Sequence, residues 1–186
     1  PLLNIQLIKN IVGLVLEHRN KPEQVTFSMT TNGTLLHEYV DFLVEHNFRI
    51  SISLDGDKSA NSYRVFHNNR DAYDTVIRNV NFIKDTYPHF FQNNISFMSV
   101  LHNRNSVEGI LEYFHNFFNK ESRISELSAF DIEESKKDEF NNLFKNFDES
   151  LANSDCERIV KQKKDLELGE LSAFIRNKHN VVFHKY

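Results

Sequence analysis

Two short polar clusters hold most of the chemistry this chain offers. One is Thr30-Thr31-Asn32-Gly33; the other is Ser51, Ser53 and Asp55-Gly56. Hydroxyls, an amide and a carboxylate gathered beside a glycine suit a polar ligand. The same residues also suit a tight turn, because a residue without Cβ permits either a sharp change of direction or a close approach of a ligand. Arg64 and Arg70 follow at once. A guanidinium over such a site would clamp a carboxylate through two parallel N–H groups, whereas on an open surface it is only a solvated charge. His102 is a further polar candidate, but one histidine without a partner does not make a site. Asp131, Glu133 and Glu134 are carboxylates that serve as acid or base, or simply oppose a helix dipole. The nine histidines contain no pair at compelling metal-ligand spacing, and there is one cysteine, Cys156. No Ser-His-Asp order, phosphate loop or dinucleotide fingerprint is present.

The surrounding pattern says what positions these groups. Val25, Phe27 and Met29 alternate with polar residues, so a strand runs over about 25–30. Leu35, Leu36, Tyr39, Val40 and Leu43 then repeat at helical spacing, so Asn32-Gly33 joins a strand to a helix over 34–46 instead of closing a hairpin. Phe48, Ile50, Ile52 and Leu54 alternate in the next strand, which Asp55-Gly56 ends. Ser51 and Ser53 share the opposite face. A long polar connection leads to a helix over 71–85 closed by Tyr87-Pro88; a strand over 95–101 precedes a helix capped by Ser106 and running to Phe118. A weaker strand is expected near 124–130, and a helix near the start covers 3–19.

Strands alternating with helices imply a parallel sheet with α/β architecture. About four strands make a partial parallel (β/α) barrel, not a complete eight-unit one. Both glycines sit where the C-terminal ends of the strands should lie, which is where α/β sheets meet ligands. Residues 131–186 read differently: they are charged, with Phe140, Leu143, Phe144, Phe147 and Leu151 in one helical stripe. A second helix over 156–177 and a short strand at 181–183 complete this expected helical extension. The expected division is therefore a barrel portion, 1–130, and an extension or insertion, 131–186.

Composition narrows the classes. The chain has 186 residues, 40% apolar and 26% charged, with a formal net charge of -4. No basic face suggests nucleic acid, and no apolar run approaches the roughly 20 residues of a membrane span. A single cysteine forms no internal disulfide, which suits a cytoplasmic protein. Helical periodicity begins directly after Pro1, so the chain is expected to be a segment of a longer protein whose exposed barrel surfaces would self-associate.

TTNGTLL, followed by SISLDGDKSANSYRVF and then ISFMSVLHNRN, resembles the radical S-adenosylmethionine (SAM) enzymes. More narrowly, it is similar to the SPASM-type branch that includes anaerobic sulfatase maturases and peptide maturases. Pro1-Leu2-Leu3 is similar to the end of that family's Gly-Gly-Glu-Pro motif. The resemblance runs to about Phe130 and implies a partial (β/α)6 barrel that binds SAM and a [4Fe-4S] cluster and modifies a peptide or protein. It implies that Thr31 and Asn32 end the third barrel strand, that Ser53 contacts the SAM ribose, that Arg64 binds the methionyl carboxylate and that Asp55 shapes the loop. The family's CxxxCxxC motif is absent here, as are the first two strands and the cysteine-rich C-terminal domain. The resemblance thus implies a parent enzyme that is metal-binding, and a segment that is by itself inactive and binds neither cofactor. Two other readings stand beside it. One is a different α/β-barrel enzyme, which would need a lysine or paired acids at the strand ends; the other is a non-catalytic α/β binding module on the same scaffold.

Overall fold

The computed structural model describes residues 1–18, 25–128 and 132–152. Four parallel strands form one sheet in the order β1-β2-β3-β4: β1 Ser28–Thr31, β2 Arg49–Ser53, β3 Ile95–Leu101 and β4 Ser122–Glu126. A helix, α1 Ile5–His18, precedes β1. Between the strands lie α2 Leu36–Glu45, α3 Tyr73–Thr86, α4 Pro88–Asn94 and α5 Val107–Phe118, and α6 Lys137–Leu143 and α7 Phe147–Ala152 follow β4.

The register explains the alternation. Ile52 pairs with Thr31 and Phe97, and this row faces the helices. Ile50, Ile52, Leu54, Phe97 and Leu101 pack there against Val40, Leu43, Val80, Ile83, Ile110 and Phe114 in one core. The opposite row, Thr30–Ser51–Ser96, remains polar and at least partly exposed. Burial of one face only is what the two-residue period of strands permits.

Helix ends are set locally. The Ser106 hydroxyl accepts from the Gly109 N–H at 3.1 Å and starts α5. Asn119, at φ 49°, ends it in the left-handed region, a position asparagine tolerates. Tyr87-Pro88 closes α3 as expected: α3 ends at Thr86 with Tyr87 as its C-cap, and Pro88 opens a separate helix, α4, where its missing N–H costs nothing. Two expectations shift. β4 begins at Ser122, earlier than expected: Ser122 pairs with Phe97, and its hydroxyl meets that of Ser99 at 2.6 Å. The expected single stripe from Phe140 to Leu151 is split, since Phe144 is extended (φ -64°, ψ 138°) and separates α6 from α7. The expected helix over 156–177, the strand at 181–183, Asp131 and Cys156 lie outside the described residues. Among the described residues, no helix is long and apolar enough to cross a membrane.

Candidate functional site

The loops after β1 and β2 are built from their own polar residues. The Thr31 hydroxyl accepts from the Gly33 N–H at 3.3 Å, and Asn32 Oδ1 accepts from the Thr34 N–H and hydroxyl at 3.3 and 3.0 Å. Gly33 has φ +80°, and a Cβ there would stand 3.0 Å from Val76 Cγ1 and 3.2 Å from Ile52 Cγ2. This glycine is therefore required both by its backbone conformation and by the approach of the β1–α2 loop to α3 and β2. Asn79, buried on α3, donates from Nδ2 to the carbonyls of Gly33 and Thr34, each at 2.9 Å. Its role is not apparent in the sequence, where an asparagine among Val76, Val80 and Ile83 only interrupts an apolar stripe.

Asp55 is the centre of the second loop and is 3% exposed. Its Oδ2 accepts from Arg64 Nε at 2.7 Å, and its Oδ1 accepts from Arg64 Nη2 at 2.7 Å and from the Val100 N–H at 2.8 Å. Its own N–H donates to Asn61 Oδ1 at 3.2 Å. The bidentate pairing holds the guanidinium plane in one orientation. His102 Nε2 stands 4.0 Å from Asp55 Oδ2. Burial pushes the His102 pKa below its ordinary value, against the opposing pull of the Asp55 carboxylate. Its Nδ1 accepts from the Arg104 N–H at 3.1 Å, which fits a neutral ring carrying its proton on Nε2. The Asn105 amide donates to the carbonyls of Asp55 and Val100 and locks β2 to β3 at their ends.

An open cleft of about 930 Å³ lies beside these loops; its lining includes Thr31, Asn32, Ser53, Asn61, Tyr63 and Arg64. Four of the five expected site residues, Thr31, Asn32, Ser53 and Arg64, thus meet at one cleft. Within it, Ser53 lies on the polar row that pairs with Met98. Thr31 shares the row of Ile52 and is nearly buried, so its hydroxyl serves the Gly33 turn. Asp55, the fifth, is not part of the lining and accepts two hydrogen bonds from Arg64. Arg70 does not join the lining; its N–H donates to Asn68 Oδ1 at 3.2 Å on an exposed turn. Asn61 and Tyr63 do line it, a role the long polar connection gave no periodic signal to mark. Asn61 is 1% exposed, and its Nδ2 has no hydrogen-bond partner among the described residues. Among the described residues, no cluster of three or more His, Cys, Asp or Glu could hold a metal ion.

No family model matches the chain. Over 81 residues it is 30% identical to a "Cysteine-type anaerobic sulfatase-maturating enzyme" of Clostridium novyi (strain NT), a stretch covering 42% of this chain and 22% of that relative. In fold it is similar to native anSMEcpe with bound AdoMet and Kp18Cys peptide, with a TM-score of 0.60 and 22% identity over 71% of this chain and 36% of that one. Native anSMEcpe with bound AdoMet gives a TM-score of 0.58 and 22% identity over 67% and 34%. The chain thus spans about a fifth of the curated relative's length and about a third of the solved chains. The four-stranded parallel sheet with its helices is a partial domain of the fold of these solved structures. The sequence likeness falls on a sulfatase-maturating enzyme, the group that the TNG and SLDG stretches resemble, and the likeness to the solved structures is one of fold.

Proposed function

We propose that this chain is the central part of a cytoplasmic radical SAM enzyme that modifies a peptide or protein, and that the strand-end cleft takes SAM. The observation that carries the reading is the posture of Arg64. Asp55 fixes its guanidinium at the C-terminal ends of parallel strands, while Nη1 is left without a partner among the described residues. A cation held rigidly at that end of the sheet suits a ligand carboxylate. Ser53 and Asn32 add a hydroxyl and an amide on the cleft wall, suited to a ribose.

The donor set fits SAM on one further point. Buried polar atoms ordinarily find partners, and Asn61 Nδ2, on a residue of the cleft lining, has none among the described residues. When bound, SAM supplies hydrogen abstraction driven by an electron from a [4Fe-4S] cluster. The residues of this chain do not fit that cluster: one cysteine cannot supply three thiolates. No step through a cluster is therefore assigned to these residues, and the chain by itself is expected to leave SAM intact. A peptide partner for the whole protein is carried over from the peptide named in the anSMEcpe complex. In this reading residues 1–130 are the barrel portion and 131–186 lead towards a further domain.

SAM titration of the full-length protein tests the proposal. Saturable binding is expected, and Arg64→Ala should weaken it by about 1.5–3 kcal/mol, the usual contribution of a charged hydrogen bond. Equal affinity in the variant would remove Arg64 from the site. The second reading is a non-catalytic binding module on the same scaffold; in that case the full-length protein binds SAM but takes up no iron on reconstitution.

A further inference from the structure

We infer that residues 132–152 set the shape of the cleft by acting through Asn103. This rests on the cleft being a SAM site, which the preceding section proposes.

Tyr63 precedes Arg64 and forms part of the cleft wall. At 39% exposure its ring is not held in place by burial. It is held by the loop after β3. The Tyr63 hydroxyl donates to Asn103 Oδ1 at 3.0 Å, the Arg104 guanidinium lies 3.8 Å from the ring centroid, and the His102 ring meets it edge-on at 5.0 Å. Arg104 Nη1 also donates to the Ser62 hydroxyl at 2.6 Å. Three consecutive residues thus grip the turn that carries Arg64.

Residues after β4 hold that loop from its other side. The Asn103 N–H donates to the Leu143 carbonyl, and Asn103 Nδ2 donates to the Asn142 carbonyl, both at 3.0 Å. Lys145 Nζ donates to the Asn105 carbonyl at 2.7 Å. The two ends of the Asn103 side chain serve both partners: its oxygen takes Tyr63 and its nitrogen takes the end of α6. The break in the helical stripe at Phe144 belongs to the same arrangement, since the Leu143 carbonyl at the end of α6 accepts from Asn103. Asn103 is therefore a positioning residue, and the segment after β4 acts on the cleft without lining it.

The test uses the full-length protein and two readouts. The first is hydrogen exchange of the amides of residues 60–64 without ligand, which reports local opening. The second is SAM titration, with the melting temperature followed alongside. Asn103→Ala should speed exchange across 60–64 and weaken SAM by roughly three- to tenfold, the size of one or two neutral hydrogen bonds, with little change in melting temperature. Tyr63→Phe, which removes only a hydroxyl, should do much the same. The double variant should be no worse than Asn103→Ala, because both residues lie on one line of contacts. Lys145→Ala should speed the same amides from outside the cleft. Unchanged exchange at 60–64 in Asn103→Ala, or losses that multiply in the double variant, would overturn the inference. A protein that shows the exchange effect but binds no SAM would retain the positioning role and sink the SAM reading instead.

Discussion

Asp55→Asn isolates the clamp on Arg64. The two carboxylate oxygens are not equivalent: Oδ1 accepts from Arg64 Nη2 and the Val100 N–H, whereas Oδ2 accepts only from Arg64 Nε. An asparagine keeps the most by placing its oxygen at the Oδ1 position. Its NH2 then faces Arg64 Nε–H, donor against donor, with His102 Nε2 on the same side. One charge-assisted bond is lost, at about 1.5–3 kcal/mol, and Arg64 loses its counter-charge. Breaking a fully buried pair costs about 3–5 kcal/mol. Here the Arg64 side chain is 29% exposed and can turn towards water, so the cost falls below that range. We expect a loss of about 2–3 kcal/mol in urea unfolding with an unchanged m-value. A double-mutant cycle with Arg64→Met separates the pair from the rest of the Asp55 network, and a coupling of about 1.5–2.5 kcal/mol is expected. A coupling below about 0.5 kcal/mol would show that Asp55 serves Val100 and the loop backbone, and that Arg64 is not held by it.

Gly33→Ala should cost about 2–4 kcal/mol in the same assay, from a positive φ and a Cβ 3.0 Å from Val76 Cγ1; Val76→Ala should recover only the steric part. Burial keeps His102 neutral and lowers its folded pKa below the ordinary 6.5. Between those two values the unfolded chain binds more protons, so stability should fall as pH drops below about 6.5 and level off below the folded pKa. The facing groups are Asp55, Arg64 and Arg104, and His102→Gln should flatten that part of the profile. On α1, Leu7, Ile11 and Leu14 are exposed along one side. Light scattering of the 186-residue chain should show association that rises with concentration and weakens in Leu7→Lys/Leu14→Lys, whereas a monomer at high concentration would count against it.

The alternation in FRISISL and ISFMSVL was legible because one face of each strand is buried in a core and the other is not. Gly33 was legible as a turn, but not as a packing requirement, since Val76 lies 43 residues away in sequence. Tyr87-Pro88 was legible as the end of α3 but not as the start of α4, because proline both ends helices and opens them. In the tail, Phe140 and Phe144 keep helical spacing although the chain leaves the helix at Phe144; apolar period alone does not register a carbonyl drawn to Asn103.

The partners of the site residues follow a different length scale from their positions. Asn79 reaches the Gly33 carbonyl across 46 residues, Val100 reaches Asp55 across 45, and Ser99 reaches the Leu54 carbonyl across 45. The last two intervals match the β2–β3 crossover, in which Ile50 pairs with Ile95, while the first runs from the end of β1 past β2 into α3. Within a unit, short-range chemistry is readable: Asp55 and Arg64 are nine residues apart, and a loop can bring them together. Between units, the register decides which side chain meets which backbone group, and register emerges only when the strands pair. A cleft at the ends of parallel strands is therefore half local and half collective. Its ligand-facing groups stand in short motifs, whereas the groups that hold them still, Asn79, Asn103 and Asn105, are polar residues with no periodicity of their own. Their substitution should loosen the cleft while leaving every motif that identifies it intact.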